Sequence, residues 1–388
     1  MKIRFYLYSL FVLVLLFTGC RRDDVPETYT ILIYMAADNS MDVDVNYTIE
    51  KIKEGAVGSN GTTVIYLDRK GSGKTRLFKI DNKGVETLLK EYPEENSAST
   101  TTLSRVINET KQLVPADKYG FIFWSHSMGW YPALNGVATR SAPKEYTYIG
   151  IDDTPATGTG ISFMEVDEIA DAMPNNMFEY IWFDVCLMGS VDGLYEFRNK
   201  ADYLIASPTE VLLEATHDAS GVPYAKVMKY LFGGKEELIN ACKIYYDHYT
   251  NLTADEIYRS ATIVMVDAKE LNGLYFETRK LLSRKLTDVQ NMNIEGIQVY
   301  HTRHIPQVFF DYAEFMKRIT TAQQYTAVDN QLKKTVVYKN ATPDFINQVI
   351  IDPAKYSGLS VYIPLAIWQN ENPYKYYFNL LEWSGVYN

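Results

Sequence analysis

Cys186 and His126 are the two residues of this 388-residue chain best suited to nucleophilic acyl chemistry. Each follows a short apolar run that reads as a strand: YGFIFW at 119–124 precedes His126, and YIWF at 180–183 precedes Cys186. A thiolate attacks a carbonyl carbon, and an imidazole beside it returns a proton to the departing amine. In open parallel sheets ligands bind outside the carboxyl ends of the strands, where both residues fall. One helix and a loop separate the two runs, so a right-handed crossover would set them in one sheet with those ends on the same edge. A helix is expected to begin soon after Cys186 and to favour the thiolate through its free N–H groups. Composition by itself favours the bland reading of Cys186 as a buried core thiol.

The elements needed to hold these residues follow a regular alternation. Buried-strand patterns occur at 28–35, 62–67, 119–124, 180–183, 202–206 and 262–266, with a last one, GLSVYI, at 358–363. Between them, a helical stretch runs to about Ile52, and the Ser/Thr cluster at 97–102 opens a helix with Leu103, Val106, Ile107 and Leu113 on one side. Ser162 and Glu165 have capping-box spacing for a helix ending near Pro174. Helices are expected again at 224–250 and on to about 335. Strands alternating with helices imply an α/β fold with a mostly parallel sheet covered on both faces. A single large domain over 28–388, with a helical C-terminal elaboration, is the economical reading.

The first 19 residues have the layout of an export signal: Lys2 and Arg4, an apolar run from Phe5 to Phe17, then Thr18-Gly19-Cys20. The run is short for a membrane span, which needs roughly 20 apolar residues. Leu16-Phe17-Thr18-Gly19-Cys20 resembles a bacterial lipoprotein signal box, which implies cleavage before Cys20, lipidation of its thiol, and a tether over 20–27. Arg21-Arg22-Asp23-Asp24 resembles the charged tether of surface-exposed lipoproteins. The expectation is an outer-membrane lipid anchor, with the alternative of an ordinary secretory signal. Loss of Lys2 and Arg4 takes the formal charge from -10 to -12. So acidic a chain argues against nucleic acid as a partner. With three cysteines in all, a disulfide framework is not expected.

The segments Trp124-Ser125-His126-Ser127-Met128-Gly129-Trp130 and Phe183-Asp184-Val185-Cys186-Leu187-Met188-Gly189 are similar to the two signature segments of the clostripain-like cysteine peptidases, W-x-H-G-x-G-W and D-A-C-L-M-G. Their order and their separation of about 60 residues also resemble the wider caspase-like group. The likeness extends to YMAADNS at 34–40, DYLIASPTE at 202–210 and GLSVYIP at 358–364. It implies a caspase-like three-layer α/β/α sandwich and a monomeric endopeptidase with His126 and Cys186 as its catalytic pair. The backbone amides of Ser127 and Cys186 would form the oxyanion hole. Asp184 would select Arg or Lys on the acyl side of the cut, with Glu210 a second candidate; a structural acid capping the turn is the other reading of Asp184. Self-cleavage would fall after Lys144 or Arg140, the basic residues of the polar 131–160 loop. Ser127 stands where the family has glycine and Val185 where it has alanine. A backbone N–H survives the first change wherever positive φ is not required.

No cofactor is needed for this chemistry; the resemblance leaves calcium open, with Asp152 and Asp153 as candidate ligands. His217, His248, His301 and His304 show no metal-ligand spacing. Cys242 shares a helical face with Leu238, Ile239, Tyr245 and Tyr246, as core residues do. Gly71-Ser72-Gly73-Lys74 lacks the spacing of a phosphate loop. Two other readings stand beside the peptidase. Ser125-His126-Ser127-Met128-Gly129 resembles the nucleophile elbow of a serine esterase, with Ser127 attacking, although a loop rather than the required helix is expected after it. The second is a catalytically impaired surface lipoprotein that binds through the same fold.

Overall fold

Every side chain of Tyr29–Ala37 is buried, a pattern that suits a strand covered on both faces. In the computed structural model, which describes residues 28–132, 149–154, 160–303 and 305–388, this strand (β1) lies inside a nine-stranded sheet. The others are β2 (Thr62–Arg69), β3 (Lys74–Ile80), β4 (Glu86–Pro93), β5 (Lys118–Trp124), β6 (Phe178–Asp184), β7 (Ala201–Ala206), β8 (Thr262–Asp267) and β9 (Val336–Ala341). Their order is β9-β8-β7-β6-β5-β1-β2-β3-β4. The run β7-β6-β5-β1-β2 is parallel, and antiparallel pairs close both edges.

Strand alternation divides the apolar side chains between two cores. Leu32, Tyr34, Phe121, Phe123, Ile181 and Phe183 face one side, where α2 (Thr100–Leu113) and α3 (Val166–Ala172) cover them. Ile31, Ile33, Met35, Ile122, Trp124 and Trp182 face the other, against α1 (Val45–Ala56) and α4 (Lys235–Thr250). Cys242 is fully buried in this second core, as its helical spacing suggests. Later helices, including α5 (Leu271–Leu282) and α6 (Ala322–Thr335), extend the first core. The result is the three-layer α/β/α sandwich. Among the described residues, no helix is long and apolar enough to cross a membrane.

Four expectations need correction. GLSVYI does not join the sheet; only Ser360–Val361 pairs, in a two-residue ladder with Phe310–Asp311, because β9 already occupies the edge beside β8. The segment is apolar because it is buried, not because it is laddered. The hairpin β3–β4 was not expected, since β4 is mostly exposed and carries little apolar alternation. α3 is capped by Glu165 with Glu168, while Ser162 belongs to a short strand before it. Leu113, at the end of α2, is exposed rather than part of the buried face.

Gly120 of β5 lies level with Tyr180 of β6, whose ring would stand 2.6 Å from any Cβ added there. A fully buried tyrosine cannot swing away without opening the second core. Gly120→Ala is therefore expected to cost ~1–3 kcal/mol in urea unfolding, and an unchanged midpoint would contradict this packing.

Candidate active site

The parallel register sets the site. Met35, Trp124 and Asp184 are level with one another across β1, β5 and β6, so the loops that follow these strands leave from one edge. Between the loops opens a cleft of about 490 Å³, lined by His126, Ser127, Asp184, Cys186 and Glu210 among others. Sequence reasoning singled out all five, and the structure brings them together. Cys20, Arg140, Lys144 and His304 lie outside the described residues.

His126 is held from the β1 side. Asn39 donates through Nδ2 to the carbonyls of Ala36 and Ile151, both at 2.9 Å, and caps Met41 N–H through Oδ1. Ser125 Oγ donates to the Ala36 carbonyl at 2.7 Å. These bonds tie the turn after β1 to the histidine loop, and Ser40 Oγ then meets His126 Nε2 at 2.8 Å. Asn39 thus shapes the turn that brings Ser40 to the imidazole. At the far end of the loop Trp130 is fully buried among Phe309, Tyr362 and Tyr377. Left-handed backbone occurs at Gly129 (φ 61°) and not at Ser127. A Cβ on Gly129 would stand 2.4 Å from the Leu187 carbonyl, so this glycine lets the histidine and cysteine loops touch.

The cysteine loop is braced from three directions. Leu187 N–H donates to the Thr209 carbonyl and Gly189 N–H to that of Ser207, at 2.9 and 2.8 Å. Val211 N–H donates to Cys186 Sγ at 3.3 Å. From below, Ser360 N–H donates to the Gly189 carbonyl at 2.9 Å, and Tyr362 N–H to Asp192 Oδ2 at 2.9 Å. That is the work of GLSVYI.

The helix expected soon after Cys186 is only the turn Val191–Leu194, capped by Ser190, so no helix N-terminus reaches the thiol. Burial instead pushes the Cys186 thiol up to about 11, against the pull of Val211 N–H and of the Arg303 charge. Burial also lowers His126 below its ordinary value. Among the described residues no hydrogen bond joins the two: His126 Nε2 is engaged by Ser40, and Cys186 Sγ by Val211. Burial thus favours the neutral form of both groups at rest.

Asp184 accepts Val222 N–H at 3.1 Å and Tyr224 O–H at 2.8 Å, and Gly221 packs directly on its carboxyl. Burial raises it to about 7. Glu210 forms an ion pair with Arg303 and lies 3.5 Å from His301. His301 looked bland in sequence; it and Arg303 reach the cleft from a distant irregular segment that carries no motif. Asp152 accepts Ser97 N–H and Thr154 N–H, and Asp153 pairs with Lys70. This pair is engaged by protein donors, and among the described residues no cluster of three or more His, Cys, Asp or Glu is arranged to hold a metal ion.

A family model described as the clostripain family matches residues 33–384. Clostripain of Hathewaya histolytica is 22% identical over 420 aligned residues, covering 87% of this chain and 75% of its own. An inactive zymogen C11 protease from Parabacteroides distasonis superposes with a TM-score of 0.77 at 29% identity, covering 94% of this chain and 99% of that one. A secreted C11 cysteine protease from Bacteroides thetaiotaomicron, solved with an irreversible peptide inhibitor, gives 0.75 at 26% identity over 93% and 99%. Fold and relatives together define a cysteine peptidase of caspase-like architecture. The chain belongs to the clostripain family.

Two outcomes follow from the buried groups. Alkylation of resting Cys186 by iodoacetamide, followed by mass spectrometry, should quicken about tenfold per pH unit from 7 to 10, because thiolate is the reacting form; a plateau already reached at pH 7 would mean a preformed ion pair. Asp192, raised to about 7 by burial, stabilises the fold fully below its unfolded value near 4 and loses that contribution as pH rises through 7. Wild type should therefore lose stability relative to Asp192→Asn between pH 5 and 8, measured by urea midpoints, and parallel curves would refute the assignment.

Proposed function

We propose that this cysteine peptidase is an exported endopeptidase that hydrolyses peptide bonds on the carboxyl side of Arg or Lys, with Cys186 as nucleophile and His126 as proton carrier. The observation that carries this reading is the single cleft that His126, Ser127, Asp184 and Cys186 line at the carboxyl edge of parallel strands.

Substrate entry excludes water from the neutral pair, and His126 takes the Cys186 proton as sulfur bonds to the carbonyl carbon. The amides of Cys186 and Ser127 receive the developing oxyanion, a role compatible with the ordinary backbone at Ser127. The carbon–nitrogen bond then breaks, His126 gives its proton to the leaving amine, and a thioester remains. Water, deprotonated by His126, attacks the thioester, and the thiol is restored. Asp184 serves as the acid for the substrate's basic side chain: a buried carboxyl raised by desolvation gains most from a cation brought against it.

Self-cleavage after Lys144 or Arg140 activates the enzyme, in keeping with the inactive zymogen form of the Parabacteroides relative. A lipid on Cys20 anchors the mature monomer to the outer membrane. Against the esterase alternative, the described residues that follow Ser127 directly, 128–132, form no helix, and its Oγ accepts Gly129 N–H at 2.8 Å.

Assay of the mature protein on peptides ending in Arg, Lys or a neutral residue tests the scheme. Cys186→Ala should lower turnover by about 10⁴-fold or more, Ser127→Ala should retain activity, and Asp184→Ala should erase the basic preference. Active Cys186→Ala, or a preference unchanged by Asp184→Ala, would overturn the roles assigned. Fragments ending at Lys144 or Arg140 should be absent from Cys186→Ala, and full activity in an unbroken chain would refute self-activation.

A further inference from the structure

Glu210 enters the cleft with its charge already answered. Its carboxylate is 14% exposed and pairs with the Arg303 guanidinium, itself 47% exposed, and both side chains line the same cavity as Cys186. His301, 3.5 Å from the same oxygen, supplies no competing charge, since burial lowers it to about 4. Glu210 cannot easily retreat from the nucleophile either, because the next residue, Val211, donates its N–H to Cys186 Sγ. The chain thus keeps one of its own basic side chains on an acid beside the reacting thiol.

We propose that Arg303 is an internal competitor for basic substrate side chains: it holds Glu210, the second acid of the cleft beside Asp184, until the basic side chain of a substrate displaces it. This rests on the reading that substrates carry Arg or Lys. An ion pair with one partner half exposed is screened by water and exchanges readily, whereas a fully enclosed pair would not. Displacement changes no net charge in the cleft: one guanidinium or ammonium replaces another, and Arg303 turns to solvent. A neutral side chain cannot make the exchange and leaves the pair closed. Arg303 therefore weakens the binding of the basic residue alone and so tempers selection by charge.

The test is competitive inhibition by an arginine-ended peptide amide and by its citrulline-ended counterpart, which has nearly the same shape without the charge. Arg303→Met keeps an apolar stem and removes the guanidinium. In this variant the arginine peptide should bind about three- to tenfold more tightly, with citrulline unchanged. In the Glu210→Gln background Arg303→Met should bring no such gain. Equal effects on the two peptides, or the same gain without the Glu210 carboxylate, would overturn the proposal. A wild-type enzyme that neither binds arginine better than citrulline nor cleaves after Arg or Lys would instead overturn the substrate reading beneath it.

Discussion

Met35, Trp124 and Asp184 stand level in three adjacent parallel strands, and the positions of His126, Asp184 and Cys186 in the cleft follow from that line. Parallel hydrogen bonding admits no slip of one residue here, since a slip would turn each buried side chain to the opposite face. The two faces differ: one carries Phe121, Phe123 and Phe183, the other Ile122, Trp124 and Trp182. Register is therefore enforced by two cores at once, and the loops that leave the strands inherit their positions from it.

Those loops are fixed mainly by main-chain bonds. Thr209, Ser207 and Ser360 meet the cysteine loop through backbone groups, and Val211 meets the sulfur itself through its amide. Such contacts place little demand on side-chain identity, and the Val185 side chain is itself buried in the first core. Glycine is demanded where loops touch. Gly129 meets the Leu187 carbonyl and Gly189 meets Pro208, each closer than a side-chain carbon could come.

The central strands were legible in the sequence because they are buried on both faces and so appear as unbroken apolar runs. His126, Cys186 and Asp184 were legible because their flanking residues form motifs. Ser40, Val211, His301 and Arg303 were not, for they act through single contacts between segments distant in the chain, and no local pattern records such a meeting. The thiol's surroundings were misread for a related reason. Strand followed by helix is a sound local expectation, but at Cys186 the chain spends Leu187 in a left-handed conformation and binds its loop to the segments at 207–211 and 360–362 before any helix begins.

The contact of Ser360 and Tyr362 with the cysteine loop joins residues about 170 positions apart. Contacts of such separation form late, after the loop-closure entropy has been met by nearer ones. A chain still emerging from the ribosome has its nucleophile but lacks the support beneath it until residues 360–362 arrive. The cleft is thus a product of completed folding, and a nascent or truncated chain carries the chemical groups of a peptidase without the geometry that makes them one.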